Sequence, residues 1–234
     1  MSTPRRRFIS WLGSASLLGV ATRPALEPLT RRQNAADAHR DTLRDAHADA
    51  VEEEWDMSWT ARVSGRYKAV FDSPELSEGV ALNRADAWCD QYKEVYGAAR
   101  GEMSPVLVLR HSGFMLAMND EFWTDMEVGK ELRLRDDKGR KWMRTNPVSG
   151  SSSSGTPKPG ESIPAFIAAG GIVLACGWTF GGAAMRIAKR EKIDKAAALT
   201  RARAMMIPGV ILQPNGIFAA LRAQEAGCSY VLAS

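Results

Sequence analysis

Two short, almost wholly apolar runs set the strongest limit on the fold. They are Pro105-Val106-Leu107-Val108-Leu109 and Ile172-Val173-Leu174-Ala175-Cys176. A strand with one wet face alternates apolar and polar residues, whereas a strand covered on both faces does not. Covered strands of this kind belong to parallel sheets, whose neighbours are joined by crossovers that are usually helices. The chain has segments to make them. Residues 77–96 place Val80, Leu82, Ala85, Trp88, Cys89 and Tyr92 at helical spacing and predict an amphipathic helix, its stripe continuing to Val95 and Tyr96.

Three further strands follow from the same reading. Residues 67–71 form a strand closed by Asp72-Ser73-Pro74, residues 209–212 a second, and residues 229–232 a third. Helices are expected at 114–126, in segments over 178–206, and from an Asn215 cap to Ala226 with Gly227 as terminator. The expectation is an α/β fold over residues 66–234: a three-layer sandwich of about five mainly parallel strands, right-handed crossovers, and helices on both faces.

Residues 129–162 interrupt this rhythm. They are charged and then low in complexity, ending in Ser-Gly-Ser-Ser-Ser-Ser-Gly-Thr-Pro-Lys-Pro-Gly, and read as a flexible insertion or lid. Leu132-Arg133-Leu134 and Lys141-Trp142-Met143 flank a turn-like Asp136-Asp137-Lys138-Gly139, so a small hairpin is expected within it. Residues 163–185 carry no charge, but Pro164 and paired glycines divide them into helix, strand and turn. They read as soluble core rather than a membrane span.

The N-terminus reads as an address. Arg5-Arg6-Arg7-Phe8-Ile9 precedes a short, mildly apolar stretch ending near Ala21, and resembles a twin-arginine export signal over residues 1–21. The expected location is periplasmic or otherwise outside the cytoplasm, with membrane contact only through the signal, or a tether if the signal stays uncut. Residues 22–65 are polar and Ala-rich, a stalk whose Trp55 and Trp59 would pin it to the domain. His39 and His47 read as part of that solvated stalk before a metal site. The chain carries +4, but residues 1–21 hold three arginines and no acid, and without them 28 basic residues face 27 acidic ones. No nucleic-acid partner is therefore expected. The basic residues between 186 and 203 read as a solvated helix face, with an anionic partner as the second reading.

No Ser-His-Asp spacing, His-Glu-x-x-His, phosphate loop or Cys-x-x-Cys occurs, so no cofactor or metal is expected. What remains is positional. In an open parallel sheet, ligands bind beyond the carboxyl ends of the strands. That rule selects Asp72, His111, Cys176, Gln213 and Asn215, together with Arg110. A thiol where a strand enters a helix faces free backbone N–H groups and the positive end of the helix dipole, which favour the thiolate. Cys176 thus reads either as a reactive thiol assisted by His111 or as core packing, since cysteine is among the most buried residues. Cys89 reads as core. Cys228 is expected too far from Cys176 for a disulfide.

Residues Val173-Leu174-Ala175-Cys176-Gly177, Pro208-Gly209-Val210-Ile211-Leu212 and the stretch from Phe218 to Val231 resemble the DsrE/DsrF-like family of sulfur-relay proteins, as does Val106-Leu107-Val108-Leu109-Arg110-His111. The resemblance covers about residues 66–234. It implies a cysteine at the end of the third strand able to carry a persulfide, a position matched by Cys176, and it implies assembly into a homo-oligomer. Two functions follow as expectations. One is an exported thiol protein carrying sulfur on Cys176, with a small sulfur species or a protein as partner. The other is a non-catalytic module that binds a small ligand or protein in the same crevice.

Overall fold

The structure, a computed structural model, describes residues 55–136, 139–151 and 156–234, all within one compact unit. The signal, most of the stalk and both stalk histidines lie outside the described residues. The strands are β1 (Tyr67–Ser73), β2 (Met103–Leu109), β3 (Ile172–Cys176), β4 (Ile211–Gln213) and β5 (Ser229–Leu232). The helices are α1 (Trp59–Arg62), α2 (Val80–Tyr96), α3 (Asp120–Asp125), α4 (Val128–Glu131), α5 (Ile163–Ala168), α6 (Gly177–Glu191), α7 (Lys195–Ala204) and α8 (Gly216–Glu225).

The strands form one all-parallel sheet in the order β4-β3-β2-β1-β5. The chain therefore steps outward from β1 to β4, then crosses back over the sheet to place β5 beyond β1. Crossovers of one hand that reverse direction must change face. The side chains follow that rule. Ala69, Phe71, Leu107, Leu109, Val173 and Ala175 pack on one face against α2, α5 and α6. Val70, Val106, Val108, Ile172 and Leu174 pack on the other, where Ala219 and Ala223 of α8 meet them. The period-two alternation lies between two buried faces, which is why the sequence runs look continuously apolar. The fold is the three-layer α/β sandwich expected.

The second face is completed by the lead-in. Trp59 of α1 is fully buried there beside Val63, and the Gln213 side-chain amide donates to the Asp56 carbonyl at 3.0 Å. Among the described residues, no helix is long and apolar enough to cross a membrane.

Several boundaries differ from the sequence reading, each for a local reason. The single helix expected over 114–126 is a 3-10 turn (His111–Ala117) followed by α3. The break is Met118, extended and bridged to Met206, after which Asn119 restarts the chain as a helix cap by accepting from the Phe122 N–H at 3.0 Å. The helical run after Cys176 divides at Lys192, which has φ 56°, and Asp194 caps α7. The apolar stripe of α2 ends early. Ala81, Leu82, Ala85 and Cys89 are buried, while Val95 and Tyr96 lie exposed, Tyr96 stacking on Tyr67 at 6.0 Å.

In the 129–162 segment, the described residues pack on the domain. Arg135 and Trp142 form an antiparallel bridge, so the hairpin is present. Asn146 is fully buried and its amide donates to the carbonyls of Leu116 and Met118 at 2.8 and 2.6 Å.

Candidate functional site

The carboxyl ends of β2, β3 and β4 open into a crevice of about 350 Å³. Cys176 ends β3 and is the N-cap of the 15-residue α6, its thiol making no capping bond. Asn215 caps α8, its side-chain oxygen accepting from the Phe218 N–H at 2.8 Å. Both residues line the crevice, so two helix N-termini border one space. His111 lines it from the turn after β2. Its backbone sits at φ 48°, a left-handed conformation that is uncommon outside glycine. That turn is braced against the turn after β1: the Arg110 N–H donates to the Ser73 carbonyl at 3.1 Å, and the Ser112 hydroxyl accepts from the Leu76 N–H at 3.2 Å.

Of the five residues selected from the sequence, Cys176, His111 and Asn215 share the crevice; Asp72 and Gln213 do not line it. Asp72 lies inside β1 rather than after it and is only 2% exposed. Its carboxylate accepts two bonds from the Arg110 guanidinium, both 2.8 Å, and a third from the Tyr230 hydroxyl at 2.7 Å. Asp72 thus acts on the crevice through Arg110, which does line it. The hydrogen bond to Asp72 holds the Arg110 guanidinium above its ordinary basicity, and the matching bond pushes the Tyr230 phenol up. Gln213 is the last residue of β4 and fully buried. Its amide nitrogen donates to Asp56 and Leu212, so it ties the lead-in to the sheet.

The sequence reading missed Arg186, which it placed on a solvated face. Arg186 lines the crevice, pairs with Glu131 and donates to the Met126 carbonyl at 3.1 Å. Trp178, which directly follows β3 and Gly177, was within reach of the strand-end rule, but the apolar wall that Met115, Ala183 and Ile217 build with it was missed. The alternation of α6 at three- and four-residue steps from Thr179 to Ala183 and Arg186 was the available signal.

The three cysteines are all free. Cys89 packs with Ala98 and Met103, and Cys228 with Val70, Ala219 and Ala223. Burial pushes each of these thiols up to about 11. Cys176 is the cysteine that opens on the crevice. β5 stands three strands from β3, roughly 14 Å at ordinary strand spacing, which excludes a 176–228 disulfide. No group of residues suited to a metal ion occurs among the described residues. Comparison of the chain with protein-family models, with curated proteins and with solved structures finds no match.

Proposed function

We propose that this chain is an exported thiol protein of the DsrE/DsrF-like kind that accepts and carries sulfane sulfur on Cys176. The observation that carries the reading is that Cys176, His111 and two helix N-termini border one crevice, which Cys89 and Cys228 do not line. Cys176 occupies the N-cap of α6, the end of a helix that attracts negatively charged ligands. Arg110 and Arg186 add less field than their number suggests, because Asp72 and Glu131 already offset them.

The step is a sulfur transfer without net oxidation. The Cys176 thiolate attacks the outer sulfur of a persulfide R–S–SH, the new Sγ–S bond forms as the donor S–S bond breaks, and R–S⁻ leaves. The leaving thiolate ends with the proton that Cys176 gave up, for which His111 is the crevice's imidazole. Delivery to an acceptor thiol is the reverse reaction.

Incubating the protein with inorganic polysulfide and mapping its cysteine peptides by mass spectrometry tests this. One added sulfur on the Cys176 peptide, absent in Cys176→Ser, is the expected result. An adduct on Cys89 or Cys228 instead, or none anywhere, overturns it. The paired change Arg5→Lys, Arg6→Lys is expected to block export, and unimpaired export would remove the compartment from the proposal.

A second reading has its own support. With both arginines already paired and one wall made of Met115, Trp178, Ala183 and Ile217, the crevice also suits a small, partly apolar ligand held without chemistry. Unmodified Cys176 that alkylates slowly would favour it.

A further inference from the structure

A second cavity, of about 470 Å³, lies between the chain around the Arg135–Trp142 bridge and α3, α4 and the far end of α6. Its wall from α6 is Arg190, fourteen residues beyond Cys176. At helical rise that is roughly 21 Å from Cys176, and although Arg186 of the crevice is one turn away, the two cavities share no lining residue. Six cationic side chains line it: Lys130, Arg135, Arg140, Lys141, Arg144 and Arg190. One carboxylate, Glu127, lines it with them, and its pairing with Lys130 is long at 3.5 Å. Arg140, Lys141, Arg144 and Arg190 are exposed, and no acidic side chain among the described residues pairs with their own side chains.

The cavity is built rather than incidental. The fully buried Trp123 forms part of its floor, its indole N–H donating to the Met115 carbonyl at 2.8 Å. The Arg135 guanidinium lies over the Trp142 ring at 3.5 Å from its centroid, which fixes both side chains at the rim. Gly129 lets the hairpin close on α4, because a Cβ there would lie 2.1 Å from the Met143 carbonyl oxygen. A concavity that gathers like charges raises the local concentration of anions. Arginine's fork matches phosphate oxygens two at a time. A single carboxylate would leave most of these cations without a partner, whereas linked phosphates spread several charges over many acceptor oxygens.

We propose that this cavity binds a polyphosphate group, either free or carried on an organic molecule of nucleotide size. The volume falls within the range of small-molecule sites, about 300–1,000 Å³.

Calorimetric titration of the full chain with inorganic pyrophosphate, ADP and citrate, at low and at physiological ionic strength, tests it. Pyrophosphate, ADP or both should bind, and the triple variant Arg140→Ser, Arg144→Ser, Arg190→Ser should bind about tenfold or more weakly. These three side chains are exposed, and unchanged thermal unfolding of the variant checks its fold. Tighter ADP binding assigns an organic carrier, and binding of pyrophosphate alone assigns the free anion. The proposal is overturned if neither phosphate binds, if the variant binds as well as the parent, or if citrate matches pyrophosphate, which would reduce the site to general attraction for anions.

Discussion

Arg110 clasps Asp72 through two hydrogen bonds of 2.8 Å, Nε to Oδ1 and Nη2 to Oδ2, across the ends of neighbouring strands. The carboxylate side chain is 3% exposed and the guanidinium 20%, so the pair is shielded but water reaches one partner. Asp72→Asn leaves the guanidinium without its counter-charge. Breaking a fully buried pair costs more, and partial exposure of Arg110 brings the expected loss to about 2–3 kcal/mol. Tyr230→Phe removes one bond to a charged acceptor, about 1–2 kcal/mol. Because both act on one carboxylate, the double variant should lose less than the sum. Urea unfolding at neutral pH reads all three; strictly additive losses would show that the groups do not form a network.

Gly216 holds the same pair in place from below. A Cβ at that position would lie 2.5 Å from Cβ and 2.7 Å from Cδ of Arg110. Alanine is otherwise the better helix residue at the start of α8, by about 1 kcal/mol. The clash should outweigh that gain, because Arg110 Cβ is fixed by the backbone and cannot swing aside. Gly216→Ala is therefore expected to destabilise by about 1–2 kcal/mol net and to shift Arg110 off Asp72. A stabilised variant with the same Tyr230 environment would contradict the packing described.

These two relationships mark where the sequence was legible and where it was not. β3 and β5 were readable to the residue, β3 as a short apolar run between Gly171 and Gly177 and β5 as a β-branched and aromatic run soon after the Gly227 helix stop. Asn215 as a helix cap and Cys176 at a strand end were readable for similar local reasons. The last strand was expected at the edge away from Cys176, where β5 lies, but the full strand order was not readable, because no local pattern announces that β1 takes β5 as its outer neighbour. Nor was the role of Asp72: Arg110 and Tyr230 reach it from positions 38 and 158 residues away. Polar composition at 129–162 suggested flexibility, and composition is silent about a single buried anchor such as Asn146.

Alkaline pH should weaken the fold through the two core thiols. Desolvation raises Cys89 and Cys228 to about 11, above the ~8.5 of a thiol in an unfolded chain. Between those values the folded state keeps protons that the unfolded state has released, so stability falls as pH rises. The contribution is whole below about pH 8.5 and gone above about pH 11. Tyr230, also raised, adds a loss of the same sign. Urea midpoints measured upward from pH 8 should decline. Cys89→Ala with Cys228→Ala should flatten that decline while lowering the midpoint at pH 8. An equal slope in parent and variant would remove the thiols as its cause.

Asn146 is the sharpest single test of how the 129–162 segment is held. Its amide donates to the Leu116 and Met118 carbonyls, its oxygen accepts from the Val148 N–H at 3.0 Å, and its own N–H donates to Asp120 at 2.8 Å. Alanine would leave two buried carbonyls and one N–H without that partner, at about 2–4 kcal/mol. Aspartate should be worse despite its similar shape, because at neutral pH it offers no donor and sets a charge against two carbonyl oxygens. Limited proteolysis gives the local readout. Cleavage within 139–151 should speed up in Asn146→Ala more than cleavage in β1 to β5, since the hairpin keeps its backbone bonds to itself but loses its tie to the body. Uniform acceleration across the chain would instead place Asn146 in the global fold, and no acceleration would show that Val148 and Ile163 hold the segment without it.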